Sequence, residues 1–205
     1  MSVKTHLPPA HSNTSSRGRC FWLRLQAKAL LVVGMRSKAH AVFQEILDLN
    51  PQDVLALNSL GFNELNDRRL LQALGFFERA LALTPANANA HFNVGFVCEE
   101  LGRSQEAEHA FRAALQIDEK MDRAWYGLGL VLVRQRRFEE SLVAFERNTK
   151  LQSMSPYAWY QMARVHMEMQ NPEKALEVIR HLNGFEPKVA AQLVRETGLI
   201  LDRPV

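Results

Sequence analysis

Residues 125–145 read WYGLGLVLVRQRRFEESLVAF. Three of these residues, Gly129, Ser141 and Phe145, have counterparts 34 positions away along the chain. Gly61, Gly95 and Gly129 form one column, which Ala27 and Ala163 extend in each direction. Twelve positions later stand Ala39, Ala73, Ala107, Ser141 and Ala175. Four positions further stand Phe43, Phe77, Phe111, Phe145 and Ile179. Pro51, Pro85 and Pro187 close three of the repeats, and no insertion breaks the register. A fixed period of this length marks a repeat architecture.

The columns dictate a helix–turn–helix repeat. Small residues in the first two columns let two antiparallel helices approach closely. The phenylalanine column fills the space between that pair and the next. Each proline falls where the second helix must end, because proline disfavours helix in the residue before it. One repeat cannot bury its apolar face alone, so neighbours stack.

These residues resemble the tetratricopeptide repeat (TPR) family. The fourth repeat carries Trp125, Leu128, Gly129, Ser141 and Phe145; the second carries Leu57, Leu60, Gly61, Ala73, Phe77, Ala80 and Pro85. The resemblance implies an all-α fold, a right-handed α-solenoid of antiparallel helix pairs. It divides the chain into repeats at 20–53, 54–87, 88–121, 122–155 and 156–189. Residues 190–205 then form a capping helix and tail, and residues 1–19 a disordered or targeting leader. The chain departs from the family pattern at Gln26 and Ala27, and again at Asn148 and Ser153.

Composition fits this reading. The 205 residues are 47% hydrophobic and 23% charged, as in an ordinary globular protein. Cys20 and Cys98 give neither a disulfide framework nor a zinc spacing, which points to a reducing, cytoplasmic setting. No apolar stretch approaches the roughly 20 residues of a transmembrane helix. Residues 1–44 hold seven Lys/Arg and no acid, and Glu45 is the first carboxylate. The excess positive charge therefore belongs to one end, and a nucleic-acid binder is not indicated.

The segment NAHFNVGF at 89–96 separates packing from binding. His91, Val94, Gly95 and Cys98 follow the packing columns. Asn89, Phe92, Asn93 and Phe96 lie about 200° away on the helical wheel. In the TPR family this side of the first helix lines a groove that takes peptide segments. The same columns give Asn58 and Phe62, then Arg123, Tyr126 and Leu130, then Tyr160 and Arg164. Aromatic rings supply rigid contact area, Asn bonds an extended backbone, and Arg holds carboxylates. Phe96 and Leu130 also suit simple packing between neighbouring helices. The two-carboxylate clamp of some family members is broken here. Asn58, Phe62 and Gly127 stand where it needs Lys, Asn and Arg.

Arg68, Arg69, Arg103, Arg136 and Arg137 recur at the turns and predict a basic edge for an acidic partner. No phosphate loop, nucleophile elbow or HExxH occurs, so neither catalysis nor a cofactor or metal is expected. The function expected is an adaptor that binds a protein or peptide segment in its groove, as a monomer or with weak self-association. Two alternatives stand beside it. One is a holding chaperone or assembly factor for a bacterial secretion or pilus-type complex. The other is a self-associating or membrane-surface scaffold that uses Phe21-Trp22-Leu23.

Overall fold

The computed structural model describes residues 12–201, with side chains from residue 18 onward. These residues form eleven α-helices and no strand. They fall into two compact bodies divided between Pro85 and Ala86. In each body, antiparallel helices joined by short turns pack in chain order. The all-α stack of helix pairs read from the period is the fold observed.

The N-terminal body comprises α1 (Ser12–Val32), α2 (Arg36–Leu49), α3 (Val54–Asn66) and α4 (Leu70–Leu83). Its core holds Leu23, Ala27, Phe43, Ile46, Leu57 and Leu60. Asp53 caps α3 by accepting from the Ala56 amide at 3.0 Å. The same buried carboxylate accepts two hydrogen bonds from the Arg24 guanidinium, which ties α1 to the start of α3. The helix begins at Ser12, earlier than the leader boundary expected at residue 19. Residues 1–11 lie outside the described residues, as do 202–205.

The C-terminal body comprises α5 (Ala88–Glu100), α6 (Ser104–Ile117), α7 (Asp122–Arg134), α8 (Phe138–Leu151), α9 (Pro156–Glu168), α10 (Pro172–Asn183) and α11 (Pro187–Thr197). The glycine and phenylalanine columns meet face to face. A Cβ at Gly95 would stand 3.0 Å from the Phe111 ring, and one at Gly127 would stand 2.6 Å from it. Phe111 is thus clasped by two glycines, one on each neighbouring helix. Gly129 lies just as close to Phe145. Two tryptophans in the same column make the same bond. The Trp125 indole donates to the Glu119 carbonyl at 2.8 Å, and Trp159 donates to the Ser153 carbonyl at 3.0 Å. Asn148, a departure from the family pattern, is buried and donates to the Asp122 carbonyl at 2.7 Å. It links the end of α8 to the start of α7. α11 starts at Pro187, ahead of the expected residue 190, packs on α9 and α10, and ends at Gly198 in the left-handed region.

The turn inside each repeat has a left-handed residue at the same register position. These are Gly34, Arg68, Gly102, Arg136 and Gln170, with φ of 77°, 61°, 74°, 59° and 55°. A side chain there costs roughly 1–2 kcal/mol relative to glycine. Arg136→Gly is therefore expected to stabilise the protein by about 1 kcal/mol. A urea melt in which the variant is less stable than wild type would contradict this.

His166 shows the cost of a polar group in a packing column whose previous member is the buried Leu132. It is buried, and its Nδ1 has no hydrogen-bond partner. Burial, reinforced by Lys174, holds its pKa below the ordinary histidine value. A depressed pKa contributes stability above the unfolded value of about 6.5 and loses it as pH falls through the folded value. His166→Leu is expected to flatten the decline in melting temperature between neutral pH and about pH 5. Parallel slopes for the variant and wild type would refute this role for His166.

Candidate functional site

The first helices of the C-terminal repeats, α5, α7 and α9, carry the site residues expected there. α5 packs directly on α7, so their side chains form one surface. Phe92 and Phe96 stack with ring centroids 6.2 Å apart, and Phe92 rests on the core ring of Phe111 at 5.8 Å. The Arg123 guanidinium lies 4.4 Å over the Phe92 ring and donates to the Asn89 side-chain oxygen. Asn89 and Arg123 are 34 residues apart, so the repeat itself brings them together.

Farther along, Tyr126 is half-buried between Phe145, at 5.8 Å, and Tyr157, at 6.5 Å. Burial pushes the Tyr126 phenol above its ordinary pKa, against a hydrogen bond with Gln161 that lowers it. Leu130 is half-buried and joins the same apolar cluster. Tyr160 donates to Glu196 of α11 at 2.6 Å, which raises the phenol pKa. The bonds from Tyr160 and Gln192 hold the Glu196 carboxyl below its usual range. Arg164 lies 5.8 Å over the Tyr160 ring.

The surface so assembled is mainly aromatic. Its exposed rings are Phe96 and Tyr157, the latter 68% exposed. Behind it, Arg134 pairs with the buried Glu99 at 2.6 Å and donates to the Glu99 backbone carbonyl. Burial raises the Glu99 pKa, and Arg134 offsets part of the rise.

Asn93 differs from the sequence expectation. It is only 8% exposed, so it offers little surface to a ligand. Its counterpart one repeat later is Gly127, which packs on Phe111, so this column serves packing more than recognition. Arg123 differs as well: its fork is already engaged by Asn89 and the Phe92 ring. In the N-terminal body, Phe62 is exposed and meets Phe77 edge-on at 5.1 Å. The Asn58 amide donates to its own helix, to the Val54 carbonyl at 2.9 Å. Tyr157 and Glu196 complete the surface. Tyr157 shares a column with Asn89 and Arg123. Glu196 belongs to α11, whose offset start takes it out of the columns.

The expected basic edge is largely neutralised within the chain. Arg69 pairs with Glu64 and Asp67, and Arg103 approaches Glu106 at 3.8 Å. Arg137 bridges Glu108 at 2.7 Å and Glu140 at 2.6 Å. Burial pushes the Glu108 carboxyl up, but bonds from Arg112, Arg137 and Gln135 together hold it low. Arg68 and Arg136 are exposed at the left-handed turn positions. Among the described residues no group of three His, Cys, Asp or Glu is placed to hold a metal. No described helix is long and apolar enough to cross a membrane.

Comparison with known proteins agrees with this architecture. Tetratricopeptide repeat models match residues 24–88 and 99–148, residues 76–109, and residues 156–188. No curated protein matches the chain. Among solved structures, the chain is similar to YrrB, a TPR protein with an unusual peptide-binding site. The TM-score is 0.73 at 22% identity, over 82% of this chain and 88% of YrrB. It is also similar to MamA, with a TM-score of 0.77 at 17% identity, over 90% of this chain and 98% of that one. MamA from Desulfovibrio magneticus gives 0.75 at 19% identity, over 88% and 97%. At these identities the likeness is one of fold.

Proposed function

Because the chain belongs to the tetratricopeptide repeat family, we propose that it is a non-enzymatic adaptor. It holds an extended segment of a partner protein on the face formed by α5, α7 and α9. One observation carries this reading. Phe92, Phe96, Tyr126, Tyr157 and Tyr160 form a run of rings along the first helices, rooted on the core rings of Phe111 and Phe145, and Phe96 and Tyr157 open it to solvent. Aromatic rings offer large contact area at low entropic cost, which suits them as interface anchors. YrrB shows that the same scaffold accommodates a peptide-binding site. The two free, buried cysteines suit work in the reducing cytoplasm.

A photo-crosslinking residue placed at Phe96 or Tyr157 in cells tests this. Both sites are expected to yield a discrete crosslinked partner. Val143, whose exposure lies between those of Phe96 and Tyr157 but which stands on α8, is expected to yield none. Equal yields at all three positions would sink the proposal. Co-expression separates an adaptor from a holding chaperone, since only a chaperone's client depends on the chain for solubility.

A further inference from the structure

The repeats supply an internal control for α1. Trp22 stands in the register of Ala56, Ala90, Ala124 and Ala158, all buried, yet it is 67% exposed. Val32 stands in the register of Asn66, Glu100, Arg134 and Glu168, and is 87% exposed. The turn that follows is Val33-Gly34-Met35, whereas the second repeat has Asp67-Arg68-Arg69 and the fourth Gln135-Arg136-Arg137. Val33 and Met35 are both exposed. Leu23 and Ala27 face the core of the N-terminal body. Phe21, Trp22, Leu25 and Val32 occupy the opposite side of the helix and are all exposed. α1 is thus apolar on both faces, although among the described residues it packs on one side only.

Charge selects what covers the outer face. Lys28 lies one helical turn from both Leu25 and Val32, and Arg36 and Lys38 follow the apolar turn. All three are exposed and form no salt bridge among the described residues, unlike Arg19 and Arg24, which pair with Glu45 and Asp53. No acid occurs before Glu45, so two copies of this face would repel one another. The rings stand out from the surface, as insertion into a soft layer requires. Trp and Phe flanked by unopposed Lys and Arg are the composition that settles in a headgroup layer.

We propose that the outer face of α1 and its turn, Phe21, Trp22, Leu25, Val32 and Met35 with Lys28, Arg36 and Lys38, docks the protein peripherally on an anionic lipid surface. The rings and aliphatic side chains enter the acyl boundary, and the cations meet the headgroup phosphates. This surface is built from α1 and its turn alone and uses no residue of α5, α7 and α9, so docking does not depend on the adaptor reading.

The test is co-sedimentation of the full chain with vesicles of phosphatidylcholine alone or mixed with phosphatidylserine. Binding is expected only to the anionic vesicles and should weaken with salt. Trp22→Ser and Phe21→Ser are each expected to reduce it roughly tenfold. Lys28→Gln is expected to reduce it about fivefold. These residues are exposed, so the variants should melt like wild type; a circular dichroism melt confirms that loss of binding is not loss of fold. Brominated lipid should quench wild-type tryptophan emission, and Trp22→Phe should remove that quenching. Indifference to anionic lipid would overturn the proposal. So would equal binding by wild type and Trp22→Ser. A doubled mass by light scattering that Trp22→Ser abolishes, without vesicle binding, would instead assign the face to a second copy.

Discussion

Phe145→Ala is expected to cost about 3–5 kcal/mol and to lower the melting temperature by about 10 °C. Phe145 is fully buried. It faces the open backbone of Gly129 on α7, touches Tyr126 at 5.8 Å and belongs to the core cluster with Ala158, Met162 and Ala163 of α9. Truncating it opens a cavity between three helices at once. Because stacked repeats communicate only through neighbours, the loss should show first as faster amide exchange in α7 and α9. A companion variant probes the same contact from the other side. Gly129→Ala places a methyl group against the Phe145 ring and should destabilise by overpacking, although alanine is the better helix former. Combining Gly129→Ala with Phe145→Leu should relieve part of that cost. Strict additivity of the two substitutions would show that the columns do not meet as described.

The same contact explains why the fold was legible in the sequence. A glycine on one helix makes room for a phenylalanine on the next in the three central repeats, and a small residue facing a large apolar one continues the pattern at Ala27 and Phe43 and at Ala163 and Ile179. The period of 34 therefore records a packing constraint and can be read without coordinates. The ends are less constrained and so less legible. α1 reaches back to Ser12 through a Ser- and Arg-rich stretch with no apolar period. α11 starts at Pro187, out of the register of the first helices before it.

At the candidate site, column position gave each side chain's repeat environment but not its partners. The tie between Arg123, Asn89 and Phe92 spans two repeats and depends on how a long side chain folds back. The burial of Asn93 likewise depends on neighbours that its own helix does not reveal. Glycine marks the left-handed turn position at 34 and 102, but arginine at 68 and 136 adopts the same conformation with nothing in its residue type to signal it. The arginines at these turns read as a charged edge in the sequence, and the structure pairs their neighbours Arg69 and Arg137 with carboxylates of the same chain.

Tyr157→Ala is expected to weaken capture of the partner by at least about 30-fold, the loss of roughly 2 kcal/mol typical of an aromatic anchor. The melt should not move, because the side chain is 68% exposed and meets Tyr126 edge-on. Phe96→Ala should behave similarly, with a smaller loss, since Phe96 is less exposed and stacks on Phe92. Asn93→Ala should give the opposite signature: a lower melting temperature from a buried polar site, with any loss of binding tracking the loss of fold. The contrast decides which side of α5 recognises the partner. If Tyr157→Ala lowered the melt, or left capture by the full chain unchanged, the rings would be packing after all. The partner would then have to be sought on the N-terminal body, where Phe62 and Phe21, the latter in the column of Tyr157, present exposed rings.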